Sequence, residues 1–373
     1  MRDPPHSFYF QRTKSLSSLC RDYRLGKVIL SAGVNGSMMT KYIHTLPETH
    51  WLTRLRRFIS HGDRPWQWVI VLASVLVMIM ILAIGWMLWR ESADARSTFG
   101  FGFLTPTTDP NWDPVNDEFQ SWPFIYGTLL TSFTAILIAL PISIGIAIFM
   151  AELCPEWLRL PLNWLVELLA AIPSVVYGLW GIFVFLPMVV APIAEGLFKA
   201  LGKVPGMGSM FTGPVPVSGA SRLGAAFILT IMIIPTITAV TRDVLHAIPP
   251  NQREASLALG ATRWETIWQV LLPYGLSGIL GAIILGLGRA LGETMAVTMV
   301  IGNSIEGSVS LLRPGYTMAS IIANEFAEAV TKLHSQALIE IGLVLFFMTL
   351  ILNMIARFLV WSVARRTPQE ARA

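Results

Sequence analysis

Two charged residues, Arg289 and Glu293, interrupt a run from Thr266 to Ile305 that is otherwise free of charge. Ionised groups at membrane depth cost several kcal/mol unless they are paired or solvated, so they mark candidate sites by default. Their i, i+4 spacing predicts one helix face, with each side chain in reach of the other. Two chemistries fit. One is a structural ion pair. The other is a transient oxyanion site, in which Arg289 offers forked donors to two oxygens. Glu293 suits such a site only if the anion still carries a proton for the carboxylate to accept. Thr294 and Thr298 would add hydroxyl donors.

A second stretch, Arg242 to Pro273, reads RDVLHAIPPNQREASLALGATRWETIWQVLLP and is the only long interior segment that mixes charge with a helical pattern. Apolar sequence flanks it on both sides, so it must lie in water at the membrane surface, open to a soluble partner. Leu257, Ala258, Ala261, Trp264 and Trp268 fall at helical spacing and predict one apolar stripe. Ala255, Ala258 and Gly260 are small enough to permit close approach. Pro249 and Pro250 punctuate the start, and Pro273 marks the return into the membrane.

The elements that carry these residues are apolar spans. Of 373 residues, 54% are hydrophobic and 13% charged, with mean hydropathy +0.60. That composition describes a polytopic membrane protein rather than a soluble core. Charge-free runs cover Pro65–Trp89, Phe119–Ala151, Leu168–Ala194, Leu223–Thr241, Thr266–Gly288 and Ile341–Ala356. About 20 apolar residues cross a bilayer, so an all-α protein of six transmembrane helices is expected, the last extended outward past Glu340. Ala93-Asp94-Ala95 mimics a signal-peptidase site, but the run before it is too long for a signal peptide and reads as a retained span. With the N-terminus inside, the inner segments hold 19 of the 27 Lys and Arg residues, which places both termini and the 242–273 loop in the cytoplasm.

Residues 1–60 are basic and irregular. They end in an amphipathic helix over Trp51–Ile59, with Trp51, Leu52, Leu55, Phe58 and Ile59 on one face, suited to the inner lipid surface rather than to nucleic acid. Residues 61–366 form the transmembrane domain and 367–373 a cytoplasmic tail. The two cysteines, Cys20 and Cys154, both fall in inner segments, which argues against a disulfide framework or a zinc site. No metal site or catalytic set is expected. Gly196 to Lys203 imitates a phosphate-binding loop, but the glycine spacing is one residue too long and Val204 replaces the magnesium-binding hydroxyl. The chain therefore does not hydrolyse ATP, and no nucleophile and base pair up for a membrane-embedded hydrolase. The fifth run is rich in small residues: Gly275, Gly278, Gly281, Ala282, Gly286, Gly288 and Gly292. They admit a close helix from this chain or from a partner. Three outer loops are expected, Arg90–Glu118, Glu195–Arg222 and Gly302–Lys332, the last with a short helix near Asn324–Ala329.

The 242–273 loop resembles that of permease subunits of type I ABC importers, which read E-A-A, three residues, G, nine residues, I-x-L-P. Glu254-Ala255-Ser256, Gly260 and Val270-Leu271-Leu272-Pro273 match every spacing, with Ser256 and Val270 as the departures. Gly286 to Asn303, GLGRALGETMAVTMVIGN, resembles one of the two unlike permeases of phosphate-specific ABC importers. The resemblance covers roughly residues 65–366. It implies the type I permease fold and a coupling helix in which Glu254, Ala255, Leu257, Ala258, Gly260, Ala261 and Trp264 meet a cytoplasmic ATPase. It also implies a second homologous permease, a dimer of ATPase subunits that hold ATP and magnesium, a periplasmic phosphate-binding protein that docks on the outer loops, and residence in a bacterial inner membrane. No cofactor is expected on this chain itself. Arg289, Glu293, Thr294 and Thr298 then read as a phosphate site. Phosphate near neutral pH has a proton for Glu293 to accept, whereas sulfate has none. A permease for another oxyanion and a passive anion channel are the competing functions.

Overall fold

The computed structural model describes residues 63–105, 112–205, 208–305 and 307–366. The 1–60 extension with its Trp51–Ile59 helix, Cys20 and the 367–373 tail lie outside the described residues. Among the described residues, six helices are long and apolar enough to cross a membrane: Trp66–Glu91, Trp122–Leu153, Ser174–Leu201, Arg222–His246, Arg263–Gly292 and Lys332–Ser362. They match the six charge-free runs, and the sixth extends past Glu340 as expected. The third starts later than its run, because Ile172 and Pro173 adopt extended backbone and end a separate helix, Glu156–Ala171. The residue before a proline is steered out of the helical region, which explains that boundary.

The first helix divides after Met78 between two compact units. Its part from Trp66 to Met78 is apolar and exposed. The rest of the fold belongs to the second unit. There the fourth span is the most enclosed: 67% of its most apolar window is buried, against 22–33% for the second, third, fifth and sixth. Ile228, Leu229, Met232, Ile233 and Ile237 of this span pack with Leu186 and Val190 of the third, Ala135 and Ala139 of the second and Ala282 and Ala290 of the fifth. A helix apolar on all sides belongs at the centre of a bundle.

Two smaller clusters close the ends. At one end, which we call inner, Ile148, Leu245, Ile248, Ile267 and Leu271 join the second, fourth and fifth spans. At the opposite end Phe103, Trp112, Phe119, Phe124, Tyr316, Met318 and Ile321 pack under a two-stranded hairpin in which Trp112 faces Phe119. Trp112 Nε1 donates to Glu325 Oε2 at 2.7 Å, and the His334 ring stacks on Phe119 at 5.2 Å between centroids. The short helix expected near Asn324–Ala329 instead spans Met318–Glu325. Thr317 starts it through a capping box with Ser320, a signal that composition alone did not rank.

Candidate functional site

Arg289 stands in the last turn of Leu272–Gly292 and is the only charge of the fifth span beyond Glu265. It lines a cavity of about 1340 Å³ together with Thr236, Gly281, Gly288, Thr349, Asn353 and Arg357. Its Nη1 donates to Thr236 Oγ1 at 3.4 Å, a long bond that leaves most of the guanidinium donors free for a ligand.

Glu293 does not share a helix face with Arg289. The helix ends at Gly292, and Glu293 takes extended backbone with φ −71° and ψ 122°. Its Oε1 accepts from Ala296 N at 3.2 Å, so the carboxylate caps the following helix, Met295–Val300. Among the described residues Arg289 and Glu293 form no ion pair. The i, i+4 pairing therefore fails, because a helix break falls between its members. Thr294 and Thr298 are also committed locally: Thr294 Oγ1 donates to Gly292 O at 3.3 Å and Thr298 Oγ1 to Thr294 O at 2.8 Å. Each hydroxyl has one proton to give, so either must leave its carbonyl before it donates to an anion.

The glycines of the fifth span divide into two sets. A Cβ on Gly278 would lie 2.5 Å from Val244 and one on Gly286 2.8 Å from Ile237, so these two let the fourth span approach within the chain. Gly281, Gly288 and Gly292 have nothing within 4 Å of a Cβ position. The first two of these line the cavity and leave it open along that face.

At the inner end the expected single helix is two. Pro250–Ala258 ends before Gly260, whose φ is +90°, and a new helix begins at Arg263 behind the capping box of Thr262 and Glu265. The stripe is therefore broken: Leu257 and Ala258 lie on the first helix, Trp264 on the second, and Ala261 in the turn. Gly260 serves the turn itself, since its φ is one that residues with a Cβ rarely adopt. Glu254, Ala255, Leu257, Ala258, Gly260 and Trp264 are all exposed and Ala261 is half-buried. Leu257 and Trp264 remain 46% and 57% exposed, so the described residues leave much of both side chains open.

One residue that sequence reasoning passed over fixes this loop. Arg253 donates from Nε and Nη2 to Glu152 Oε1 at 2.9 and 2.8 Å, from Nη1 to Ile248 O at 2.8 Å and from Nη2 to Leu245 O at 2.6 Å. It ties the exposed helix to the ends of the second and fourth spans. Its sequence signal was Glu152, a lone acid just beyond a long apolar run. Ser256 and Thr266 add a hydroxyl–hydroxyl bond of 2.9 Å across the turn.

Residues 143–368 match the family described as binding-protein-dependent transport system inner membrane component. The chain belongs to that family. It is 44% identical over 295 residues to the phosphate transport system permease protein PstC of Mesorhizobium japonicum, covering 79% of this chain and 89% of that one. It is 45% identical over 293 residues to the PstC of Pasteurella multocida, covering 79% and 90%, and 43% identical over 311 residues to that of Haemophilus influenzae, covering 83% and 97%. A chain of a bacterial ABC transporter involved in the import of the acidic polysaccharide alginate shares the fold, with a TM-score of 0.53 at 15% identity over 84% of this chain and all of that one. The fold is thus that of an ABC importer permease, all-α with six spans.

Proposed function

We propose that this chain is a transmembrane permease subunit of an ATP-driven importer of inorganic phosphate, lining half of the translocation pathway. The observation that carries the reading is Arg289, the one charge between Thr266 and Gly292, set in an open cavity and, among the described residues, bonded only by a long contact to Thr236. A guanidinium so placed binds a phosphate oxygen pair by geometry as well as charge. The likeness to phosphate permeases over most of their length supports the same substrate.

In this reading the cavity is completed by a second, homologous permease that covers Gly281, Gly288 and Gly292. The exposed loop around Gly260 docks on a dimer of cytoplasmic ATPase subunits, which bind ATP and magnesium, and this chain does no hydrolysis. A periplasmic phosphate-binding protein delivers the ion at the outer face. Glu293 stands near the site as a cap that can accept the proton of hydrogen phosphate on leaving Ala296 N, and both termini lie in the cytoplasm.

The test is Arg289→Ala in the complete reconstituted transporter, with uptake of radiolabelled phosphate and of sulfate measured side by side. Uptake of phosphate is expected to be lost while every subunit remains in the complex. Undiminished phosphate uptake would leave Arg289 a structural residue, and preferential sulfate uptake by the unaltered transporter would reassign the substrate.

A further inference from the structure

The cavity that holds Arg289 contains a second polar set which transport through Arg289 leaves without a task. Thr349, Asn353 and Arg357 recur every four residues, on one face of the sixth span, and all three line the cavity. The other residues that the sixth span contributes are apolar: Phe346, Leu350, Met354, Val360 and Trp361. Arg357 follows the Ile341–Ala356 run directly, and uncharged sequence resumes after it. It is the only charge between Ile341 and Ala364, with two further turns of uncharged helix beyond it.

Its guanidinium is exposed and, among the described residues, makes no hydrogen bond or ion pair; nor does the Asn353 amide. Thr349 Oγ1 donates to Phe346 O at 2.9 Å, which leaves Asn353 and Arg357 as the free donors of the stripe. Among the described residues no acidic side chain lines the cavity, so its two arginines give this lining a net positive charge. An unpaired cation among apolar residues is costly unless water or an anion meets it, and an open cavity admits either.

We propose that Asn353 and Arg357 form a second site for a phosphate group, one that rests on the phosphate reading of Arg289. Along the helix Arg357 lies about 12 Å beyond Thr349, toward the inner end. The guanidinium spans two phosphate oxygens and the Asn353 Nδ2 donates to a third, a recognition that uses charge and a fork together. A phosphate group reaches this place from two sources. It is the transported ion, stepping inward from Arg289, or the headgroup of an inner-leaflet phospholipid, which cationic pockets between spans also take.

The experiment uses the complete transporter in vesicles of phosphatidylcholine alone or with phosphatidylglycerol added, comparing the unaltered chain with Arg357→Gln, Arg357→Lys and Asn353→Ala. If the ligand is the transported ion, Arg357→Gln lowers the maximal rate of phosphate uptake about ten-fold in both vesicles, Asn353→Ala lowers it less, and Arg357→Lys restores part of it. If the ligand is a lipid, Arg357→Gln equals the unaltered chain in phosphatidylcholine, loses the stimulation by phosphatidylglycerol, and retains fewer phospholipids in native mass spectrometry. Either result supports the site. Unchanged uptake in both vesicles with unchanged lipid retention overturns it. Full uptake by Arg289→Ala, measured in the same vesicles, would instead mark failure of the parent reading.

Discussion

Replacing Gly260 by alanine separates the backbone of the inner loop from its packing. A Cβ at this position meets nothing within 4 Å, so the substitution adds no clash inside the chain. What it adds is conformational cost, because φ is +90°. Such backbone costs a residue with a Cβ about 1–2 kcal/mol. At about 1.4 kcal/mol per factor of ten, the equilibrium between this turn and its alternatives moves roughly ten-fold against it. The turn joins the helix that carries Leu257 to the one that carries Trp264 and is held by two backbone bonds, Gly260 N to Leu257 O at 3.0 Å and Ala261 N to Ser256 O at 3.2 Å. If the ATPase reads this arrangement, its apparent dissociation constant rises by up to the same factor, since only the competent fraction binds. The assay is titration of ATPase subunits onto the permease pair in nanodiscs, followed by phosphate uptake in vesicles. Gly260→Trp adds bulk on the docking face and should abolish coupling while the protein still inserts. Unchanged ATPase affinity and uptake in both variants would refute the reasoning.

Three further outcomes are expected. Arg253→Ala removes four bonds and leaves Glu152 without its partner, costing about 2 kcal/mol locally, and hydrogen exchange over Pro250–Ala258 should quicken accordingly. Glu293→Gln should relax discrimination against sulfate, read as stronger inhibition of labelled phosphate uptake by sulfate; an unchanged inhibition profile would detach Glu293 from selectivity. A cysteine at exposed Val115 should react with an impermeant reagent applied outside, and one at exposed Gln252 should react only after permeabilisation; the opposite pattern would invert the orientation.

The spans were legible because lipid imposes a length and forbids unpaired charge, so each apolar run had one interpretation. Their ends were less so. Leu168–Ala194 looked continuous because nothing charged divides it, and only the steric rule at Pro173 separates the Glu156–Ala171 helix from the third span. The two roles of the glycines were not legible at all. Gly278 and Gly286 touch the fourth span while Gly281 and Gly288 face the cavity, and on paper they form one stripe. Which side a small residue faces depends on the rotation of the helix against its neighbours, which one sequence does not encode locally.

The site divides the same way. Arg289 stood out because a lone charge in an apolar run is costly wherever the run folds. Its pairing with Glu293 failed because periodicity presumes a continuous helix, and the backbone leaves the helix after Gly292. Glu293 then finds Ala296 N, three residues on, as acids do at the start of a helix. That break has a chemical consequence. A carboxylate bonded to Arg289 would neutralise the guanidinium and compete with an incoming anion. Held instead by a backbone N–H of the next helix, it leaves Arg289 positively charged and available, and stays close in sequence for a proton-bearing ligand to recruit. An oxyanion site needs the first property to bind. A site that must prefer hydrogen phosphate over sulfate needs the second. In the proposed phosphate site the broken helix would supply both, where the ion pair suggested by spacing alone would have supplied neither.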